Sequence, residues 1–429
     1  MSVRDTLLRA ASATALLKVS SLALGLVTSV LLARTLGPEQ YGTYALVTSI
    51  VTLISLPLHA GLPGLLVRET ARIAYDEDWQ LLRGLRRRVI QWILLGSLLI
   101  CLAVWSLSGA IMSGVSSALL LVALPLAPLM ALNKTRAAML RGLRHVVSAQ
   151  LPESVVQPVA HLMLLSVLLA CGWLDVQGAL VSLMAGTLLA CVIGQFFLSR
   201  EINPLAGPGG TTYSTRLWLR ALVPFSMLAA ISVVNGQLST LILGIFSSPQ
   251  EIGYLRVADR TSQLIALSLT VMNFVAAPHI ARAAKASKPE EVRSLAVRTG
   301  RISLIWALPV ALGLIVLGEP LLSLIFGSEY AAPSWSALLV LSLGQVVNVA
   351  CGPVALVLSM SGHERDTLIG ITAGFLVNAA VAAALATPFG ALGGAIGVMA
   401  GMVTWNAFLV WRVKSRLGIT INPLGRAVS

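Results

Sequence analysis

"LLARTLGPEQYGTYALVTSI" (residues 31–50) sets an arginine, a glutamate, two glycines, a proline and two tyrosines between two apolar runs. The Gly37-Pro38 pair marks a turn. The runs on either side, near 12–34 and 41–66, therefore read as two helices that cross a bilayer and meet at its surface. Arg34, Tyr41 and Tyr44 then stand at the ends of those spans, where a plain turn has no need of them.

The rest of the composition makes the bilayer unavoidable. Of 429 residues, 57% are hydrophobic and only 11% charged, against about 25% charged in soluble domains. Mean hydropathy is +0.87. No soluble fold hides that much apolar surface, so the chain reads as an all-α polytopic membrane protein. The four cysteines, Cys101, Cys171, Cys191 and Cys351, all lie in apolar runs without ligand-like spacing and read as small core residues, with no metal or other cofactor implied. At the N-terminus, basic residues precede an apolar run with no cleavage site behind it, so that run is expected to stay as the first span.

Polar clusters and Gly/Pro breaks cut the chain into twelve segments long enough to cross about 30 Å of hydrocarbon. They lie near 12–34, 41–66, 89–109, 115–140, 150–172, 177–199, 217–246, 254–281, 302–326, 334–361, 367–387 and 390–411, and are called spans 1 to 12 below. An even number puts both termini on one side. All of the 30 Lys and Arg except Lys18, Arg34, Arg256 and Arg260 then fall on that side, which the positive-inside rule identifies as the cytoplasm. The net charge of +13 is thereby explained without nucleic acid. Two cytoplasmic connections, 68–88 and 282–301, mix arginines with apolar residues at helical spacing and are expected to lie as amphipathic helices on the inner leaflet. Every other loop is short, and no G-x-x-x-x-G-K-[ST] loop is present to bind a nucleotide.

The first six spans resemble the last six. "GALVSLMAG" (178–186) matches "GGAIGVMAG" (393–401), "EQYGTY" (39–44) falls where "QEIGYL" (250–255) falls, and each amphipathic connection follows the second span of its half. Six is even, so the repeats are parallel, the arrangement of transporters whose two halves are related by an axis along the membrane normal. The expected division is 1–202 and 215–429 as two six-helix lobes, with 203–214, "NPLAGPGGTTYS", as linker.

The four basic residues left over are candidates for function, because a charge at mid-bilayer costs about 2.5–3.5 kcal/mol and usually faces a cavity or a partner. Arg256, Asp259, Arg260 and Gln263 occupy positions i, i+3, i+4 and i+7, one face of span 8. Arg256 and Arg260 alternatively snorkel to the outer headgroups with Asp259 as a local ion partner; Lys18 snorkels inward, or Arg34 simply anchors span 1. Span 2 carries Tyr44, Thr48, Ser55 and His59 at helical spacing; span 5 carries Glu153, Gln157 and His161; span 7 adds Asn235 and Ser239, and span 10 Gln345 and Asn348. Each of these is either an interhelical hydrogen-bonding residue or a ligand.

The opening stretch itself resembles a known pattern. "LLARTLGPEQYGTYAL" (31–46) is similar to the A-R-x-L-G-x-x-x-Y-G-x-Y junction between the first two spans of bacterial polysaccharide flippases, the Wzx-like exporters of lipid-linked oligosaccharide. Ala33, Arg34, Leu36, Gly37, Tyr41, Gly42 and Tyr44 carry the match, and span count and repeat extend it over the chain. These proteins share a superfamily with the multidrug and toxin extrusion (MATE) transporters and the lipid II flippases. The resemblance implies a MATE-like V of two lobes around a cationic cavity in the bacterial inner membrane, with no enzymatic activity. An undecaprenyl-diphosphate-linked glycan would cross inside the cavity while its lipid tail stays in the bilayer, and other polysaccharide-assembly membrane proteins become possible partners. Arginine suits a diphosphate through paired, charge-assisted hydrogen bonds, while tyrosine and amide side chains suit sugars. Lys18, Arg34, Tyr41, Tyr44, Arg256, Asp259, Arg260, Gln263 and Asn235 are the substrate candidates; Glu153, Asp259 and His59 are the coupling-ion candidates. One departure is that span 2 has only His59 in its interior, where lipid II flippases place a cavity arginine.

Two other readings compete. A cation-coupled drug exporter of the same fold generally needs a cavity carboxylate; span 1 holds Lys18 and no acid, but Glu153 and Asp259 keep the reading open. A membrane polysaccharide polymerase or ligase needs an acid/base site on a sizeable outer loop, for which the short outer loops leave no room.

Overall fold

The computed structural model describes residues 3–111, 117–202 and 210–421, so residues 203–209 of the expected linker lie outside the described residues. Among the described residues all regular structure is helical. Ten helices are long and apolar enough to cross a membrane. Two of them, Val3–Ile54 with 52 residues and Glu364–Leu417 with 54, would run to roughly 80 Å at 1.5 Å per residue, more than twice a bilayer core. Each is broken at one glycine. Gly37 takes φ 71, ψ 174 and Gly390 takes φ 51, ψ −125, conformations that a side chain bearing Cβ resists. Each long helix is thus a pair of spans, and the ten candidates amount to twelve crossings.

Span 2 is itself interrupted. Helix Val3–Ile54 is followed by a single turn, Leu56–His59, and then by Leu62–Tyr75, with Gly61 at φ 74 between them and Pro57 and Pro63 beside the break. Span 5 carries a π-bulge at Pro152–Val156, a distortion that widens the helix by one residue and recurs at functional sites.

The two basic connections are not separate surface helices. Residues 68–75 continue span 2, a turn at 76–78 follows, and Trp79–Ile111 runs unbroken into span 3. Likewise Pro249–Lys285 passes through a turn at 286–288 into Pro289–Val316. Both turns hold a non-glycine residue at positive φ, Glu77 at 55° and Ser287 at 54°. The arginines therefore lie on helical extensions of the spans; a charge pattern alone cannot distinguish these from a helix lying flat.

The chain divides into two compact units. One comprises 1–15, 29–46 and 235–429. In it, spans 11 and 12 fold back on each other through small residues: a Cβ on Gly374 would meet the Gly401 carbonyl oxygen at 2.7 Å, and one on Gly397 would meet the Ala382 Cβ at 2.7 Å. Such close backbone approach drives helix association in lipid, where burying apolar surface gains little. Arg412 and Arg416 both bind the Asp366 carboxylate between the ends of the same two spans, Arg416 at 3.1 Å. Ile280, Val292, Ala296, Val357, Leu358 and Leu409 form a buried apolar cluster here.

The other unit comprises 16–28 and 47–234. Its Gly186 stands in the sequence repeat where Gly401 stands in the second half, and it packs the same way: a Cβ there would meet the Gln157 carbonyl oxygen of the preceding span at 2.9 Å. Asn133 donates to the Thr187 carbonyl at 3.1 Å, Gln157 to the Thr187 hydroxyl at 3.0 Å, and Ser182 pairs with buried His161 at 3.1 Å. Several polar residues of spans 5 and 6 thus serve interhelical hydrogen bonding.

Candidate substrate site and ion-coupling cluster

The face of span 8 anticipated from its spacing borders a real cavity. Within the unit formed by 1–15, 29–46 and 235–429, Arg256, Asp259 and Gln263 of helix Pro249–Lys285 share the wall of a cavity of about 210 Å³ with Asn235, Asn378 and Trp405. Gly236, Gly374 and Gly401 also line it; a Cβ on Gly236 would meet nothing within 4 Å, whereas Gly374 and Gly401 are held against each other by the contact between spans 11 and 12. The polar groups are partly committed to one another. Gln263 Nε2 donates to Asp259 Oδ2 at 2.9 Å, Arg256 Nη2 to Gln237 Oε1 at 2.8 Å, and Ser239 to Asn378 Oδ1 at 3.2 Å. The Asn235 side-chain oxygen is buried with no hydrogen-bond partner among the described residues.

Arg260 is not part of that wall, but Arg256 and Arg260 both act electrostatically on Tyr44, and Arg256 also interacts with Tyr41. Tyr41 is buried and Tyr44 half-buried. Eight of the nine expected substrate residues, Arg34, Tyr41, Tyr44, Asn235, Arg256, Asp259, Arg260 and Gln263, thus lie in one compact unit.

The segments that carry those tyrosines and Arg256 also meet. A Cβ on Gly42 would overlap the Pro249 carbonyl oxygen, and one on Gly253 would overlap the Pro38 carbonyl oxygen. These are the repeat-related starts of spans 2 and 8, and each presents its glycine to the other's proline. Gln250 reaches Glu39 at 3.4 Å. Glu251 accepts the Ala391 N–H at 2.6 Å, satisfying an otherwise open donor at the start of span 12 next to the Gly390 break.

Arg34 belongs to the same unit but holds a different part of it. Its Nε donates to the Ile325 carbonyl at 2.7 Å and its Nη2 to the Leu324 carbonyl. Those carbonyls end helix Gly318–Phe326, whose negative terminus suits a cation. Nearby, the Tyr330 hydroxyl donates to the Ala33 carbonyl at 3.2 Å.

The remaining candidates lie in the unit formed by 16–28 and 47–234. His59, buried at the break in span 2, engages the Ser55 carbonyl through Nδ1 at 2.7 Å, which leaves Nε2 to accept from Lys134 Nζ at 3.0 Å. Glu153, in the π-bulge, interacts electrostatically with Lys134, Arg141 and Lys18. Lys18 is exposed, Lys134 half-buried. Lys134, grouped by sequence with the cytoplasmic basic residues, is therefore a member of this cluster. Among the described residues, no three His, Cys, Asp or Glu side chains gather as a metal site requires.

Residues 7–284 match the family model described as polysaccharide biosynthesis protein. The chain belongs to that family. Over 236 residues it is 22% identical to "Probable low-salt glycan biosynthesis flippase Agl15" of Haloferax volcanii, an alignment covering 53% of this chain and 47% of that protein. The chain thus spans about half the length of that curated relative. A multidrug-resistance MATE-family transporter of the MOP superfamily, solved in an inward-facing conformation, superposes with a TM-score of 0.76 at 15% identity, covering 94% of this chain and 98% of that one. The lipid II flippase MurJ, in an inward closed conformation, gives 0.76 at 16% identity, covering 93% and 87%. This family member therefore has a MATE-like, helical, multi-pass membrane fold.

Three site residues escaped the sequence reading: Trp405, Asn378 and Lys134. The first two had a signal. Gly370, Gly374, Asn378 and Ala382 recur every fourth residue in span 11, as do Gly397, Gly401, Trp405 and Leu409 in span 12. That spacing marks facing stripes of small residues whose larger members must project beside the contact. Lys134 had none beyond its place in a basic cluster.

Proposed function

We propose that the chain is a flippase carrying a polyprenyl-diphosphate-linked oligosaccharide, of the undecaprenyl type, from the cytoplasmic to the periplasmic leaflet of the bacterial inner membrane. The observation that carries this reading is the polar cavity walled by Arg256, Asp259, Gln263 and Asn235 in a chain with 57% hydrophobic residues. Placing an arginine inside a bilayer costs about 2.5–3.5 kcal/mol on insertion scales, and such residues mark substrate pathways. Arg256 and Arg260 supply planar forks for phosphate oxygens, Tyr41 and Tyr44 border them, and amides meet sugar hydroxyls. Arg34 and Lys18 receive the headgroup at other points of its passage.

In this proposal both termini are cytoplasmic, since only Lys18, Arg34, Arg256 and Arg260 of the 30 basic residues depart from that side. Residues 1–202 and 215–429 act as the two repeat lobes, and alternating exposure of the cationic site moves the substrate. No covalent chemistry is assigned to the chain, so it is a transporter rather than an enzyme, and its partners are the lipid-linked glycan, membrane lipids and other polysaccharide-assembly proteins. Glu153, His59 and Asp259 are the residues that would exchange a coupling ion. Deleting the gene and examining lipid extracts by mass spectrometry tests the reading. Polyprenyl-diphosphate glycan should accumulate; an unchanged lipid profile counts against it.

A cation-coupled multidrug antiporter is the second reading, favoured by two carboxylates within spans, Glu153 in the π-bulge and Asp259 in the cavity wall. The electrostatic neighbours of Glu153, namely Lys134, Arg141 and Lys18, are all basic and suit an anion better than a cationic drug. Export of a cationic dye by proteoliposomes under a proton or sodium gradient would favour the antiporter.

A further inference from the structure

The flippase reading says that a glycan passes, but not where a sugar rests. The cavity of about 210 Å³ is smaller than the roughly 300–1,000 Å³ of pockets for drug-sized ligands, so it takes one ring and not a chain. Its wall combines an indole, a carboxylate and amides: Trp405, Asp259, Asn235, Asn378 and Gln263. A pyranose offers a C–H face that an aromatic ring covers and a rim of hydroxyls that carboxylates and amides bind in pairs.

The site is built to present these groups. Trp405 is set by the close span 11–span 12 contact, where a Cβ on Gly374 would lie 2.9 Å from the Trp405 Cβ. Asn378 is fixed by Ser239, which uses its side-chain oxygen at 3.2 Å and so points its amide nitrogen to other acceptors. The Asn235 oxygen is buried without a hydrogen-bond partner among the described residues, and a buried acceptor left so is unfavourable, which a ligand hydroxyl would relieve. Arg256 and Asp259 in one wall balance each other's charge. A uronic acid would meet Asp259, and a cationic drug would meet Arg256.

We infer that this cavity is a sugar subsite, holding one neutral pyranose ring with Trp405 as its platform and Asp259, Asn235 and Asn378 reading its hydroxyls. The inference rests on the flippase reading and goes one step further, to the chemical class of the sugar and the residues that select it.

The test uses the purified full-length protein in nanodiscs and two synthetic probes. One is a polyprenyl diphosphate carrying a single N-acetylhexosamine; the other is the same lipid without a sugar. Wild type should prefer the glycosylated lipid. Trp405→Ala should weaken binding of that lipid about tenfold, the change produced by 1.4 kcal/mol, and leave the bare lipid unaffected, while Trp405→Phe should retain most of the preference. Asn235→Leu removes an oxygen with no hydrogen-bond partner among the described residues, so it keeps the test valid if Trp405→Ala fails to fold; it should lower the preference in the same direction. Equal binding of both lipids by wild type, or an undiminished preference in the variants, overturns the subsite and leaves the flippase standing. A loss that is the same for both lipids also overturns it. Binding of neither lipid by wild type overturns the flippase reading and the subsite with it.

Discussion

Adding one methyl group at Gly42 or Gly253 should shift the protein away from the state in which the starts of spans 2 and 8 touch. In the structure a Cβ at either position would overlap a backbone carbonyl oxygen, of Pro249 or of Pro38. Neither is the tip of a flexible side chain, so backbone has to move. Overpacking of this kind costs about 1–3 kcal/mol. Alanine is also a better helix former than glycine by about 1 kcal/mol, but both residues lie in helices whether or not the contact is made, so that gain cancels. Each substitution should therefore lower the population of the touching state roughly 5- to 140-fold, at 1.4 kcal/mol per tenfold. Glu39 and Gln250, 3.4 Å apart at the same contact, give the readout. With Cys101, Cys171, Cys191 and Cys351 replaced, a Glu39→Cys/Gln250→Cys pair should be bridged quickly by a short bifunctional thiol cross-linker spanning the distance between the two native side chains, and at least fivefold more slowly with Gly42→Ala or Gly253→Ala added. Unchanged cross-linking would show that the contact relaxes to admit the methyl, and the glycines would then have no part in setting the equilibrium.

Arg256→Ala and Arg260→Ala should each abolish export in a complementation assay at unchanged membrane levels, and lysine should restore it only in part because it lacks the planar fork; normal export by both alanine variants would reduce these arginines to interface anchors. Arg34→Ala should lower thermal stability by about 1 kcal/mol, the value of a solvent-accessible hydrogen bond to the carbonyls of Leu324 and Ile325, and a melting curve in detergent reads it. Cysteines placed in 68–88 or 282–301 should resist impermeant thiol reagents in intact cells, and labelling of either segment would reverse the orientation.

The parts of the fold that were legible are those imposed by the bilayer itself. A 30 Å core sets the length of an apolar run, and Gly37-Pro38 could only be a break between two such runs. The Arg256, Asp259 and Gln263 stripe was legible because helical spacing alone puts those residues on one face. Trp405 and Asn378 were not, because their position depends on how Gly374 and Gly401 let two spans approach, a tertiary event. Lys134 looked like one more cytoplasmic cation until its ammonium was found on His59, 75 residues away. Arg34 was correctly placed at the end of span 1, but the carbonyls that hold it belong to a helix about 290 residues further on. The charged connections at 68–88 and 282–301 carried the right pattern for surface helices; whether such a pattern lies flat or prolongs a span depends on the turns at Glu77 and Ser287.

The most direct measurement reconstitutes the purified protein into liposomes with a polyprenyl-diphosphate glycan in both leaflets and follows how much of it a non-permeating glycosidase can trim. In protein-free liposomes about half should stay protected. With the protein present, protection should fall toward zero over time, and an Arg256→Ala variant should behave as the protein-free control. Lasting protection of the inner leaflet in liposomes that hold the folded protein would contradict the account.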